Sequence, residues 1–331
     1  MKFNIQSSKF KTFSNPPTSP PSVGGDKGEG EESYLSTPTL PKWDGHLARY
    51  DRLEACSTKG EGISRGNFKY FWLVLYLLLW LPLLSGEAWA ACRNPNIAGS
   101  YELRPVALSG TIEIKWFGHS FFQITSSHGT KIVTDPFGAM GFPMPEIWPN
   151  VVTVGREHGN HNNVGLAKGT PIILRGLKEG TEDWNQVNQT FRDVLIYNVP
   201  VHQRGVPGNI SLRGSAFVFE MDGLCILHSG DISEPFNEDQ LQLIGHVDIL
   251  LQTIGGAYTV GPEGAKQIIG QLKPRIVVPM HYWYQMNVLD RFVDGPYRVR
   301  SLNTNHFIVS KETLPIETEI IILKVLREGD I

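Results

Sequence analysis

Apolar and polar positions alternate along Thr111–Phe117 (TIEIKWF), the period of two expected of a strand with one buried face. Phe121–Thr125 and Lys131–Thr134 follow, parted by the turn Ser126-Ser-His-Gly129. Short apolar runs at Val151–Val154, Pro171–Leu174, Val194–Val199, Ala216–Met221, Leu224–Leu227 and Asp248–Gln252 read as further strands. Helical periodicity is confined to Asn237–Ile244 and to Glu263–Leu272 after Pro262. Ile276–Pro279 is one more apolar strand, and His306–Ser310 and Glu317–Lys324 close the pattern. Strands come first and strand–helix–strand units later, with no repeat at a fixed period. That order predicts an α/β fold in which two sheets are layered as an αβ/βα sandwich.

The chain before this pattern has a different texture. Residues 1–65 are rich in Ser, Pro, Gly and charge and show no periodic apolar face, which predicts a disordered extension or translation from a start codon upstream of the true one near Arg65. Arg65 and Lys69 then precede the apolar run Phe71–Leu84 (FWLVLYLLLWLPLL), and Ala88-Trp-Ala90 follows. A basic flank, a short apolar run and a small-x-small site describe a secretory signal within residues 66–92, cleaved before Ala91. The run is short for a membrane span, which needs about 20 apolar residues. An uncleaved anchor through residues 71–84 is the alternative. Both place the rest of the chain outside the cytoplasm. Cys92 raises lipidation as well, although Trp89 stands where lipoprotein signals usually carry leucine.

Composition narrows the function classes. Lys and Arg total 30 against 33 Asp and Glu, a net charge of −3, so the electrostatic footprint of a nucleic-acid binder is missing. Hydrophobic residues make up 41% of the 331, enough for a large core beginning near residue 110. The three cysteines, Cys56, Cys92 and Cys225, have no paired metal spacing. Cys225 lies in an apolar strand and reads as a small buried hydrophobe, so no disulfide framework is expected.

Chemistry concentrates where the strands end. Val151–Val164 (VVTVGREHGNHNNV) carries His158 and His161 three residues apart in a turn. His202 follows VLIYNVPV, Asp231 closes His228-Ser-Gly-Asp, and His281 closes Val278-Pro-Met-His after the strand Ile276–Pro279. In layered α/β folds such strand ends are where ligand sites assemble. Histidines with a carboxylate are the material of a hydrolytic metal site. His119 in Gly-His-Ser and Asp135 in Thr-Asp-Pro also end strands, but read first as turn residues. Tyr282-Trp283-Tyr284 suits core packing or a pocket wall.

These segments resemble the metallo-β-lactamase superfamily, in particular small metal-dependent hydrolases related to ascorbate-6-phosphate lactonase. WFGHSFFQI, IVTDPFG, FVFEMDGLCILHSGDI, VDILLQTIGGAYTVGPEGAKQII and LKPRIVVPMHYW carry the resemblance over residues 110–326, with VTVGREHGNHNN in place of the family's HxHxDH signature. The resemblance implies a four-layer αβ/βα sandwich. It also implies one metal position at residues 156, 158 and 202 and a second at 160, 161 and 281, with Asp231 bridging. This chain departs at Arg156 and Asn160, where the family has histidine and aspartate. Guanidinium has no acceptor lone pair and stays charged, and an amide oxygen is a weak neutral donor.

The expected metal residues are therefore His158, His161, His202, Asp231 and His281, with one well-held ion on His161, Asp231 and His281. Zinc is favoured, and iron or manganese suit the same set. His158, Asp231, Asn160 and Arg156 are the candidates for acting on substrate. Hydrolysis of a small ester, lactone or phosphoester is the expected activity. A metal-free exported binding protein is the alternative, and Arg156 filling the centre in a salt bridge to Asp231 would favour it.

Overall fold

The computed structural model describes Cys92, residues 110–205, 211–282 and 286–327, and Gly329. The expectations for residues 1–65, for the signal or anchor at 66–91, and for Trp283 and Tyr284 lie outside the described residues. Among the described residues no helix is long and apolar enough to cross a membrane.

The described residues form fourteen strands and three α-helices: β1 Ile112–Gly118, β2 Phe121–Thr125, β3 Lys131–Thr134, β4 Val151–Val154, β5 Ile172–Arg175, β6 Asn188–Phe191, β7 Val194–Arg204, β8 Ser211–Met221, β9 Leu224–His228, α1 Glu238–Ile244, β10 Ile249–Thr253, α2 Pro262–Leu272, β11 Ile276–Met280, α3 Met286–Val293, β12 Arg298–Ser301, β13 His306–Val309 and β14 Glu319–Ile322. They build a six-stranded sheet ordered β13-β1-β2-β3-β4-β5 and an eight-stranded sheet ordered β12-β14-β11-β10-β9-β8-β7-β6. This is the mixed α/β, two-sheet architecture expected from the pattern. β9, β10, β11 and β14 run parallel and are buried along nearly their whole length, as parallel strands covered on both faces must be.

One apolar core joins the sheets. Ile112, Ile114, Trp116, Phe122 and Ile124 of the first meet Val199, Phe217, Phe219 and Ile226 of the second. Trp116 stacks between Phe122 (6.2 Å) and Tyr282 (5.7 Å), so Tyr282 is core and not pocket wall. A second cluster of Phe117, Phe121, Phe137, Phe142 and Ile147 packs on Val133, Val152 and Val154. Helix starts follow local chemistry. Asn237 caps α1 with a reciprocal bond to Gln240, and Pro262 opens α2, where its missing N–H is harmless.

Cys92 and Cys225 form a disulfide, with Cα atoms 5.4 Å apart across 133 residues. This corrects the expectation of an unpaired Cys225. Both residues are buried, and Cys225 faces its partner from β9. No spacing rule links two cysteines so far apart.

Candidate metal centre

Each sheet delivers its chemistry at strand C-termini. β1 leads to His119, β3 to Asp135, β9 to Asp231 and β11 to His281. The turn after β4 holds Arg156, His158 and His161. Three of these positions are strained: His119 (φ 48°), Asp135 (φ 38°) and His281 (φ 62°) adopt left-handed backbone. Among the described residues only six non-glycines do so. Each costs of order 1 kcal/mol, and such strain clusters at functional sites. Gly255 makes room for His281: a Cβ there would lie 2.3 Å from the His281 carbonyl oxygen and 2.9 Å from its Nδ1.

The imidazoles converge. His119 Nε2 lies 3.3 Å from His161 Nε2, and the His119 and His281 rings are 4.0 Å apart. One nitrogen each from His119, His161 and His281 falls within 4.8 Å of the others. Asp231 sits against them, with Oδ2 3.0 Å from His161 Nε2 and Oδ1 3.4 Å from His281 Nε2. Behind His161, its Nδ1 meets Asp135 Oδ2 at 3.2 Å, while Asp135 Oδ1 accepts the Gly155 N–H. A carboxylate on Nδ1 fixes the ring and turns the Nε2 lone pair toward the cluster.

The opposite side is built from other groups. Arg156 Nη1 donates to Asp231 Oδ2 at 3.3 Å, and Gln203 Nε2 donates to the same oxygen at 2.8 Å. The pleat of β7 explains Gln203. Val199, Val201 and Gln203 are buried, while Pro200, His202 and Arg204 are not. Successive side chains face opposite ways, so only one of His202 and Gln203 can enter the site. His202 turns outward, its ring 5.1 Å from that of Trp184 and its Nδ1 3.6 Å from Glu234.

His161, Asp231 and His281 therefore come together as expected, and the structure adds His119 and Asp135. His202 lies outside the cluster. His158 is exposed at its edge, its ring 6.5 Å from that of His161. His158 and Asn160 line the mouth of a cavity of about 420 Å³ that His119, Arg156, His161 and Asp231 floor. The signal that would have found His119 was present: a histidine directly after a buried strand, behind a glycine. The signal for Gln203 required the true length of β7.

Burial, reinforced by the neighbouring His281 and His161 charges, holds His119 well below the usual histidine range. Burial also lowers His281 against the pull of Asp231. His161 goes the other way. Burial opposes its charge, but Asp231 and the Asp135 hydrogen bond raise it to about 10. Asp231 is pulled well below the carboxylate range: burial would raise it, and the His161 and His281 charges outweigh that. Without a metal, a protonated His161 thus stands between two carboxylates, flanked by neutral imidazoles.

The residues present fit a divalent cation. Three nitrogens lie at mutual coordination range, and Asp231 stands beside them with Oδ1 buried and accepting no hydrogen bond among the described residues. Three or four such donors with room for a water are the make-up of a catalytic zinc site. Arg156 stands outside that donor set.

A family profile described as a beta-lactamase superfamily domain matches residues 113–281. The chain belongs to the metallo-β-lactamase superfamily. A metal-dependent hydrolase of Thermococcus onnurineus is 30% identical over 192 residues, covering 52% of this chain and 84% of the relative. A metal-dependent hydrolase of an Anaeromyxobacter species is 29% identical over 217 residues, covering 54% and 77%. Among solved structures, a Thermotoga maritima protein described as a Zn-dependent hydrolase of the metallo-β-lactamase superfamily matches at 29% identity and TM-score 0.50, covering 65% of this chain and 99% of that one. Membership in this superfamily accords with the two-sheet fold and with a histidine site at the strand ends.

Proposed function

We propose that the protein is an exported hydrolase that works with a single metal ion, held by His119, His161, His281 and Asp231, on an ester, lactone or phosphoester. The observation that carries this reading is the convergence of three imidazoles beside Asp231, whose buried Oδ1 accepts no hydrogen bond among the described residues. An ion bound there would lower the pKa of its water toward about 7 and polarise the bond under attack. The chain's own groups do the rest. Asp135 orients His161. Arg156 offers a fixed cation where negative charge would develop on the substrate. His158, lowered by burial and by the nearby Arg156 charge, is neutral at the cavity mouth and able to accept a proton. Asn160 offers an amide for orientation and no base. The nitrogen-rich donor set favours zinc, with iron or manganese as alternatives, and the Zn-dependent description of the Thermotoga maritima relative supports that choice.

Export is supported by the Cys92–Cys225 bond, since disulfides persist in oxidising compartments. A disulfide also commits the Cys92 sulfur and speaks against lipidation there. Residues 110–326 would then be the hydrolase unit, and any membrane contact would be through residues 71–84. Elemental analysis of the mature protein tests the metal: about one equivalent of a transition metal is expected. Less than about one-tenth equivalent after metal-replete expression would end this reading.

One observation favours the metal-free binding protein instead: Arg156 does pair with Asp231. A chain holding no metal and silent in esterase, lactonase and phosphodiesterase screens would have that role.

A further inference from the structure

The metal centre and most of the exposed apolar side chains lie at opposite ends of the sandwich. β3, β4 and β5 run parallel, as do β9, β10, β11 and β14, and the site is built where β3, β4, β9 and β11 end. The N-terminal ends of these strands therefore form a base on the far side. Eight large apolar side chains are exposed among the described residues, and one of them, Tyr258, lines the cavity. Five others sit at the base. Trp148 and Ile172 lie beside Asn150, which bonds to the first residues of β3 and β5. Ile308 pairs with Glu113 near the start of β1. Ile316, 87% exposed, precedes β14, whose Glu319 N–H donates to the carbonyl of Arg275 just before β11. Leu243 is in the last turn of α1, shortly before His246. Single exposed apolar residues need no explanation, but a set gathered at one end does.

Cys92 shows what meets that end. The disulfide holds it to Cys225 near the start of β9, and the His246 N–H donates to its carbonyl at 2.7 Å. The chain thus arrives at the base. The apolar run of residues 71–84 lies only eight residues earlier, a tether of at most about 28 Å. A domain of roughly 220 residues is about 44 Å across, so the tether cannot bring the cavity mouth to the surface in which the run is seated.

We infer, resting on the export reading above, that residues 71–84 stay on the protein as an anchor and that the base of the folded domain lies on the lipid bilayer, with Leu243 and Ile316 entering its interfacial layer and the metal cavity opening away from it. Membrane contact then extends beyond the anchor to the domain itself. Trp148 suits the headgroup level, where tryptophan rings collect, and the Lys168 ammonium 5.0 Å over its ring suits lipid phosphate. A mouth turned from the bilayer takes its substrate from water.

Reporter fluorophores test the orientation. In full-length protein carrying Cys56→Ser, a polarity-sensitive dye is placed on Glu317→Cys or Gln242→Cys at the base, or on Glu179→Cys in the loop after the C-terminal end of β5. Vesicles of phosphatidylcholine and phosphatidylglycerol, part of it bearing nitroxide on the acyl chain, should shift both base dyes to the blue and remove most of their emission. The dye at residue 179 should do neither. With Leu243→Asp and Ile316→Asp together, the dye at residue 317 should keep its emission although the anchor still holds the protein in the vesicles. Equal quenching at all three positions, or none at the base, would overturn the inference. So would undiminished quenching in the double variant, which would leave the tether alone responsible, a mature chain beginning at Ala91, or a blue shift that nitroxide does not quench, which would mean a second copy on the base. An intact disulfide with a silent base refutes the membrane face and leaves export standing; a chain recovered reduced from the cytoplasm removes export, and the face with it.

Discussion

The two sides of the site meet at Asp231 and treat it differently. On one side His119, His161 and His281 bring nitrogen donors to a carboxylate whose Oδ1 accepts no hydrogen bond among the described residues. On the other, Arg156 and Gln203 bring donors of hydrogen, which no metal can use. The first side is backed by Asp135, which with His119 and His281 holds left-handed backbone; the second is fastened by ordinary hydrogen bonds. On the proposed single-ion reading, Arg156 places a guanidinium at the carboxylate oxygen that a further ion would need.

Removing Asp231 breaks both sides together. Asp231→Ala leaves Arg156 without its counter-charge and a protonated His161 with Asp135 alone. Stripping one partner from a buried pair typically destabilises by about 3–5 kcal/mol. Urea denaturation should show a loss of that order in the metal-free protein, and metal content should fall below detection. A stable variant that still binds metal would mean the two sides do not depend on each other.

Rebuilding the second side is the next test. With Arg156→His and Gln203→His together, residue 156, His158 and residue 203 would offer three imidazoles beside Asp231, and metal content should rise toward two equivalents. Arg156→His alone should leave it near one, because His202 faces Trp184 and Glu234. Two equivalents in that single variant would show that β7 re-registers and that His202 belongs to the site.

A smaller effect is expected behind His161. Asp135→Asn keeps an acceptor for the Gly155 N–H but loses the charge that orients the ring. Such supporting groups are worth 10–100-fold in metal affinity, which competition with a calibrated chelator would measure. Unchanged affinity would place His161 in its position by packing alone.

Most of the fold was legible because burial leaves a pattern. Phe121–Thr125, Lys131–Thr134 and Val151–Val154 have the bounds their apolar runs predict. The elements without a prediction are those that bury little or alternate irregularly. β6 (NQTF) and β12 (RVRS) are edge strands with almost every residue exposed, and α3 buries Val288, Leu289 and Phe292 in a helix of only eight residues. The site was half legible for a related reason. His281 stands directly after a buried strand, and Asp231 and His161 in the turns that follow two others, so sequence order places them. Gln203 depends on β7 continuing past Val199 to Arg204, where one residue of register exchanges it with His202. The disulfide was not legible at all, because pairing across 133 residues is a property of the folded chain.

The finest comparison is between the site with and without metal, read through pH. In the metal-free protein His161 is raised from 6.5 to about 10. Above pH 6.5 the unfolded chain has lost that proton and the folded chain keeps it, so stability falls as pH rises from about 6.5 toward 10. His119 and His281 are lowered from the same 6.5. Below pH 6.5 the unfolded chain takes up protons that the folded chain refuses, so stability falls again as pH drops. Asp231, lowered from 3.8, removes its own contribution further down in acid. The two limbs give the metal-free protein a stability maximum near pH 6.5. Metal reverses the alkaline limb, since it binds His161 only after the proton leaves, and binding strengthens as protons are lost. Denaturation midpoints from pH 5 to 9 should therefore peak near 6.5 after chelation and keep rising past it when one equivalent of zinc is present. Parallel curves would show that the ion binds away from His161, and the histidine side of the comparison would lose its meaning.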